Sequence, residues 1–98
     1  MDAVLKGIFI GAEPELEIQK DGNTYKVSNC TFQECDEYEE PIAGRYLVVE
    51  FWNENIDKLK SLRIGDKVEA FVEVITRRKH NKPEKYRNRI TLVSLSKL

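Results

Sequence analysis

The sequence has no long apolar run, only two cysteines and a single histidine among its 98 residues. No segment approaches the roughly 20 apolar residues of a membrane-spanning helix, and the N-terminus lacks the basic start and apolar run of a signal peptide. Two cysteines in one short segment match no metal-ligand spacing, and one histidine cannot complete a site. These absences predict a cytoplasmic protein with no membrane segment, metal or cofactor. Cys30 and Cys35 are then expected as reduced structural thiols, a disulfide between them being the alternative.

The motifs of common enzymes are absent as well. The sequence contains no phosphate-binding loop, no nucleophile elbow and no histidine-rich metal pattern. Acidic residues are plentiful, but in so small a domain they fall on predicted loops and exposed faces, where no apolar burial raises a carboxyl pKa for acid–base catalysis. We therefore expect a binding protein and not an enzyme.

Charge is unevenly distributed along a chain whose formal net charge is −1. Residues 1–76 carry eight Lys and Arg against sixteen Asp and Glu, whereas residues 77–98 carry eight against one. The second segment therefore predicts a basic surface on an acidic body, an arrangement that concentrates an anionic ligand locally. A solvated charged loop is the alternative explanation of the same run.

Runs of alternating and β-branched residues predict strands along most of the chain. The predicted strands are Val4–Ile10, continued after Pro14 by Glu15–Gln19, then Tyr25–Glu34, Arg45–Trp52, Lys67–Arg78 and Tyr86–Leu95. Gly7 is expected to relieve crowding where the first strand bends. An Asp-Gly pair predicts a tight turn at residues 20–23, and the acidic stretch Glu34–Gly44 is expected to be a solvated loop.

Side chains alternate between the two faces of a strand, so one charged residue fixes the orientation of its neighbours. Glu50 belongs outside, which places Phe51 inside and Trp52 outside. The residues predicted to face the core are Phe51, Val68, Ala70, Val72, Val74, Ile90 and Leu92. Those predicted to face outward are Glu50, Trp52, Phe71, Ile75, Arg87 and Arg89.

A short helix is predicted between the third and fourth strands. Its apolar residues recur at helical spacing: Ile56, Leu59 and Leu62. Asn53 or Asn55 is the expected N-cap, and Gly65 the expected end. Five short strands with this helix fit a single all-β domain over residues 1–98, the five-stranded Greek-key barrel of the oligonucleotide-binding (OB) fold.

An ordered set of short motifs carries a resemblance to a known family. The motifs are Leu47-Val48-Val49-Glu50-Phe51-Trp52, Ile56-Asp57-Lys58-Leu59, Leu62-Arg63-Ile64-Gly65-Asp66-Lys67-Val68 and Thr76-Arg77-Arg78-Lys79. Together they resemble the bacterial single-stranded-DNA-binding protein family and its small stand-alone OB-fold relatives, such as primosomal replication protein N. The resemblance covers roughly residues 45–95. In that family an acidic, phenylalanine-tipped tail recruits replication and repair proteins. No such tail precedes Leu98, a departure that argues against the recruiting role, so replication partners are an expectation from the resemblance only.

The resemblance implies that aromatic and basic side chains on the barrel face and on the hairpin of the last two strands bind single-stranded DNA. Carried over residue by residue, it points to Trp52, Arg77, Arg78, Lys79 and Tyr86. The same hairpin adds further cations that suit phosphate groups: Lys82, Lys85, Arg87 and Arg89. RNA is the alternative ligand, and a basic solvated hairpin with Tyr86 packed on the barrel end is the alternative explanation.

Two aromatic residues admit a second role. Trp52 could equally cover the helix or a subunit interface, since interfaces are enriched in tryptophan and arginine. Phe71 and Ile75 share an exposed, acid-flanked face, which predicts a homodimer contact there and not a DNA contact. The alternative function is an OB scaffold that binds a protein partner through its acidic loop and the Phe71 face.

Overall fold

Alternation of apolar and polar residues builds most of this molecule into strands. The computed structural model describes the backbone of residues 1–79 and 82–98 and the side chains of residues 1–76 and 88–98. The strands are β1 (Asp2–Ala12), β2 (Leu16–Lys20), β3 (Asn23–Cys35), β4 (Pro41–Trp52), β5 (Lys67–Lys79) and β6 (Lys82–Lys97). A 3₁₀ helix, Asn53–Ser61, joins β4 to β5. The protein is therefore all-β, with a short helix where the sequence predicts it.

The strands are hydrogen-bonded in the order β1-β5-β6-β4-β3-β2, and β1 pairs with β3 as well. Five strands thus form a ring, and β2 lies outside it on the edge of β3. The ring pairs are antiparallel except β4 with β6, which meet in parallel where Glu50 stands opposite Thr91. This arrangement gives each ring strand one face toward a shared interior.

The interior holds one apolar core. Its buried members are Phe9, Cys30, Phe32, Val49, Phe51, Leu62, Val68, Ala70, Val72 and Leu92. Three of the rings pack in series, Phe32 lying 5.5 Å from Phe9 and 6.2 Å from Phe51 between centroids. The predicted inward orientation of Phe51 and of alternate β5 residues is confirmed, with Val74 and Ile90 packed at the margin of the core.

Gly7 is the point at which β1 is held between two neighbours. It stands opposite Glu34 on β3 and Val68 on β5. A Cβ atom at this position would lie 3.0 Å from the carbonyl oxygen of Gln33 and 3.3 Å from Cβ of Phe32. The crowding expected from the sequence is therefore present, and the backbone of β3 is its cause.

The segment after Pro14 does not continue β1, contrary to prediction. Leu16–Lys20 is a separate strand that forms a hairpin with β3, because the chain leaves β1 at Ala12 and reverses through the Asp21-Gly22 turn. Both turn residues have positive φ, 53° and 77°, as a two-residue hairpin turn of this type requires. The fold has six strands for this reason, where the sequence predicted five.

The acidic connection between β3 and β4 is shorter than predicted. The expected loop Glu34–Gly44 is reduced to residues 36–40, since β3 extends to Cys35 and β4 begins at Pro41. One oxygen of the Asp36 carboxylate accepts hydrogen bonds from the backbone N–H groups of Tyr38 and Glu40, at 2.8 and 3.0 Å. This side chain closes the turn and lets the strands run almost to its ends.

Both cysteines are free thiols with buried side chains, so the disulfide alternative does not hold. Burial raises the pKa of Cys30 to about 11, although a contact with the Ser28 hydroxyl lowers it in part. Burial also raises the pKa of Cys35. Their role in the described structure is packing, as the sequence predicts.

The helix ends differ from the prediction. Neither asparagine caps it: Asn53 has a φ of 51° and accepts a hydrogen bond from the Lys26 N–H, and Asn55 donates to the carbonyl of Leu92. Gly65 lies beyond the helix in the turn before β5, where its N–H donates to the Phe9 carbonyl at 2.8 Å. These polar groups therefore join elements that are distant in sequence.

A bulge in β6 changes the alternation of its side chains. Phe71 stands opposite Ser94 while Val72 stands opposite Leu92, so Val93 is an extra residue. Val93 and Ser94 both face outward, and the core is packed by Leu92 before the bulge and Leu95 after it.

Among the helical segments of the described chain, none has the length and apolar composition needed to cross a bilayer.

Candidate nucleic-acid interface

The face of the sheet opposite the core is continuous across β2, β3 and β4. Register places Leu16 beside Val27 and Val27 beside Trp52, and their side chains share this outer face because Phe51 points inward. Asn29 and Glu50 form the next cross-strand pair, adjoining β6. Side chains from four strands thus converge on one surface.

Two adjacent depressions mark this surface. The first, here the outer groove, is lined by Leu16, Ile18, Lys20, Val27, Asn29, Glu50, Trp52 and Arg89. The second, the hairpin cleft, is lined by Ile18, Lys20, Asp21, Tyr25, Trp52 and Asn53. Trp52 lines both, together with Ile18 and Lys20 of β2. An aromatic ring at the junction of two shallow depressions suits a flat ligand such as a nucleobase.

The position of the hairpin cleft is set by the chain on either side of Trp52. Asn53, the next residue, adopts a left-handed backbone conformation that turns the chain from β4 into the helix. Its Oδ1 accepts a hydrogen bond of 3.1 Å from the backbone N–H of Lys26, on the strand that carries Tyr25. This contact fastens the base of the β2–β3 hairpin beside the tryptophan.

Trp52, Glu50 and Arg89 form a hydrogen-bonded group in the outer groove. The Glu50 Oε1 atom accepts from Nε1 of Trp52 at 2.8 Å and from Nη2 of Arg89 at 2.7 Å. Its Oε2 atom accepts from Nε of Arg89 at 3.0 Å, so the ion pair is bidentate. The guanidinium carbon lies 5.7 Å from the centroid of the Trp52 ring. The hydrogen bonds to Glu50 raise the pKa of Arg89, which stays charged.

The predicted binding residues fall into two groups. The structure brings Trp52 and Arg89 together on the outer face, Trp52 being partly exposed as predicted. The remaining predicted residues have side chains outside the described part of the structure: Arg77, Arg78, Lys79, Lys82, Lys85, Tyr86 and Arg87. Their backbone belongs to the β5–β6 hairpin, in which Arg77 stands opposite Arg87 and Arg78 opposite Tyr86.

The predicted subunit-contact residues lie elsewhere on the molecule. Phe71 keeps 38% of its surface exposed and stands opposite Val4 of β1, which is 59% exposed. Ile75 is half-buried on the same strand. Glu69 and Glu73 flank Phe71 along the strand, so this face is apolar with an acidic border.

Sequence reasoning missed the contribution of the β2–β3 hairpin to the site. Leu16 and Ile18 alternate with Glu17 and Gln19, a period of two that, beside an Asp-Gly turn, was enough to predict a separate strand with one apolar face. Tyr25, the first residue of the predicted second strand, was assigned no role in the site from the sequence. No local pattern shows that Glu50 pairs with Arg89, since the two lie 39 residues apart in sequence.

Comparison of the sequence with models of known protein families gives no matching family, and comparison with curated proteins gives no significant match.

Proposed function

We propose that this protein is a non-enzymatic module that binds single-stranded nucleic acid, with DNA as the ligand and RNA as the alternative. The observation that carries the proposal is the placement of Trp52 at the junction of the outer groove and the hairpin cleft. Single strands are bound by aromatic rings that stack on bases and by cations that follow the phosphates. The outer face supplies the rings, and the sequence of the β5–β6 hairpin supplies the cations.

We further propose that the domain is an OB fold. The five-strand ring, the Greek-key crossing from β4 through the helix to β5, and the antiparallel β1–β5 pair support this assignment. OB folds bind oligonucleotides on the face of their second and third strands and with two of their loops. The second and third ring strands here are β3 and β4, which carry Tyr25 and Trp52.

The charge for binding phosphates has to come from the β5–β6 hairpin. In the two depressions the cations Lys20 and Arg89 are accompanied by the acids Asp21 and Glu50, which leaves little net charge. Along the hairpin, by contrast, register places Arg77 opposite Arg87 and Lys79 opposite Lys82. The sequence thus concentrates cations on this hairpin, as the binding of phosphate groups requires.

The family resemblance extends the proposal to a role in DNA replication, recombination or repair in the cytoplasm. The apolar face around Phe71 is the proposed contact of a homodimer. The same face favours the second candidate function, an OB scaffold that binds a protein partner, because Phe71 and Val4 are both exposed there and Val93 lies beside them at the β6 bulge.

Titration of fluorescently labelled oligo-dT at two salt concentrations tests the proposal. We expect salt-sensitive binding at micromolar or lower concentration, weakened about 5- to 150-fold by Trp52→Ala with the salt dependence intact. Phe71→Ala is the control, since Phe71 lies on the acid-bordered face and its replacement leaves affinity for DNA unchanged. No binding at low salt contradicts the proposal and favours the protein-scaffold function.

A further inference from the structure

Glu50 occupies an unexpected place for an acid, in the middle of the proposed binding face. Its side chain is only 13% exposed, and it stands where β4 meets β6 in the ring. An unpaired carboxylate there repels phosphate groups and also loses hydration, so simple charge considerations disfavour it. The placement of Glu50 therefore has to be explained by what its hydrogen bonds do for the neighbouring side chains.

The first consequence of these bonds concerns the orientation of Trp52. Glu50 and Trp52 are two residues apart on β4 and share a face, so the 2.8 Å bond from Nε1 to Oε1 is local to one strand. A partly exposed tryptophan on a sheet surface otherwise samples several rotamers. The bond restricts the ring to one orientation before any ligand arrives, which lowers the entropic cost of stacking a base on it.

The second consequence concerns Arg89. Its planar guanidinium matches the carboxylate in a bidentate fork and lies over the Trp52 ring, with the guanidinium carbon 5.7 Å from the centroid. Glu50 compensates the charge of Arg89, and the guanidinium of Arg89 covers one face of the Trp52 ring. The uncovered ring surface remains for a base, toward the hairpin cleft that Trp52 also lines.

We propose that Glu50 is a positioning residue: it orients Trp52 and holds Arg89 against the ring, so that Arg89 supports the stacking platform and does not contact phosphate. The consequence for binding rests on the proposed function, whereas the effect on the tryptophan itself does not. The proposal assigns Arg89 a role different from that of the other cations of the β5–β6 hairpin.

Glu50→Gln separates positioning from charge. If only charge matters, removal of an acid from a face that binds a polyanion strengthens binding. If Glu50 positions Trp52, the affinity for oligo-dT should instead fall about fivefold or more, fivefold being the lower limit for the loss of one base stack. Asp21→Asn is the matched control, because it removes an equal charge from the hairpin cleft and asparagine tolerates the positive φ of the turn. Tighter or unchanged binding by Glu50→Gln relative to this control overturns the proposal.

Arg89→Lys keeps the charge and removes the planar fork, so it tests the role of Arg89 even if Glu50→Gln does not fold. We expect it to lose affinity about fivefold with an unchanged slope of log K against log salt. Affinity equal to that of the wild type indicates a phosphate contact and contradicts the proposal.

Fluorescence of the free protein supplies a reading that does not depend on a ligand. Trp52 is the one tryptophan of the sequence, so its emission reports this site alone. Acrylamide quenching should be stronger, and time-resolved anisotropy should decay faster, in Glu50→Gln and Arg89→Lys than in Asp21→Asn. Equal values in all three variants overturn the positioning role. If the wild type does not bind oligo-dT but these differences appear, the proposed function fails and the positioning of Trp52 stands.

Discussion

Replacement of Gly7 by alanine tests whether β1 is closed between β3 and β5. The added Cβ lies 3.0 Å from the Gln33 carbonyl oxygen and 3.3 Å from Cβ of Phe32. One of these atoms is backbone and the other belongs to a fully buried residue, so neither can move aside cheaply. Overpacking of this kind costs about 1–3 kcal/mol.

Gly11→Ala is a control on the same strand, because a Cβ at Gly11 meets nothing within 4 Å. Both substitutions reduce the freedom of the unfolded chain by a similar amount, which stabilises the protein by about 0.4–1 kcal/mol where no clash opposes it. The difference between the two variants therefore isolates the clash. We expect the stability of Gly11→Ala to match or slightly exceed that of the wild type, and Gly7→Ala to be about 1–3 kcal/mol less stable than Gly11→Ala.

Urea unfolding followed by far-UV circular dichroism measures this difference. For a domain of this size a loss of 1 kcal/mol lowers the melting temperature by about 4–8 °C, so thermal scans provide a second measurement. The slope of the urea transition should be unchanged in both variants, since the surface exposed on unfolding is the same. Equal stability of Gly7→Ala and Gly11→Ala contradicts the close approach of β1 to β3.

Three further predictions concern the hairpin, the apolar face and a buried thiol. Replacement of Arg77, Arg78 and Lys79 together by alanine should flatten the salt slope of oligo-dT binding by up to about 2, at roughly 0.7 per lost phosphate contact; an unchanged slope and affinity excludes the hairpin as the site. Light scattering should give twice the chain mass of 11.4 kDa, and Phe71→Glu should halve it; a monomeric wild type at high micromolar concentration contradicts the dimer. Because burial raises the pKa of Cys30 to about 11, about one thiol in a thousand is ionised at pH 8. Iodoacetamide should therefore label Cys30 only in denaturant. Rapid labelling of Cys30 in the native protein contradicts the burial of its side chain.

Alternation along single strands made much of the core predictable. Glu50 fixed the orientation of Phe51 and Trp52 because a charged side chain has one acceptable face. The apolar alternation of β5 placed Val68 and Val72 correctly for the same reason. These predictions use only neighbours within one strand, which is why they did not depend on knowledge of the fold.

Features that depend on pairing between strands were not predictable in this way. The β6 bulge at Val93 shifts the alternation by one residue and brings Leu95 to the core, and nothing in the local sequence marks it. The acidic loop is shorter than predicted, because the Asp36 carboxylate closes the turn with two backbone hydrogen bonds. A composition rich in acids indicates solvent exposure but does not show where a strand resumes.

The candidate site combines both kinds of feature. Trp52 could be placed on the outer face from its own strand, but its partner Arg89 arrives through the parallel contact of β4 with β6. Ile18 arrives through a hairpin that the sequence prediction had merged with the first strand. Long-range pairing thus determines which side chains accompany the tryptophan.

Quenching of the intrinsic fluorescence of Trp52 by poly-dT is the most direct test of the proposed binding face. Because the sequence contains a single tryptophan, a base stacked on its ring should quench the emission in a saturable manner. We expect the midpoint to move to higher poly-dT concentration as salt is raised, while the amplitude at saturation stays constant. Binding detected by a labelled oligonucleotide without any change in tryptophan emission contradicts the account, because the nucleic acid would then occupy a surface that does not include Trp52.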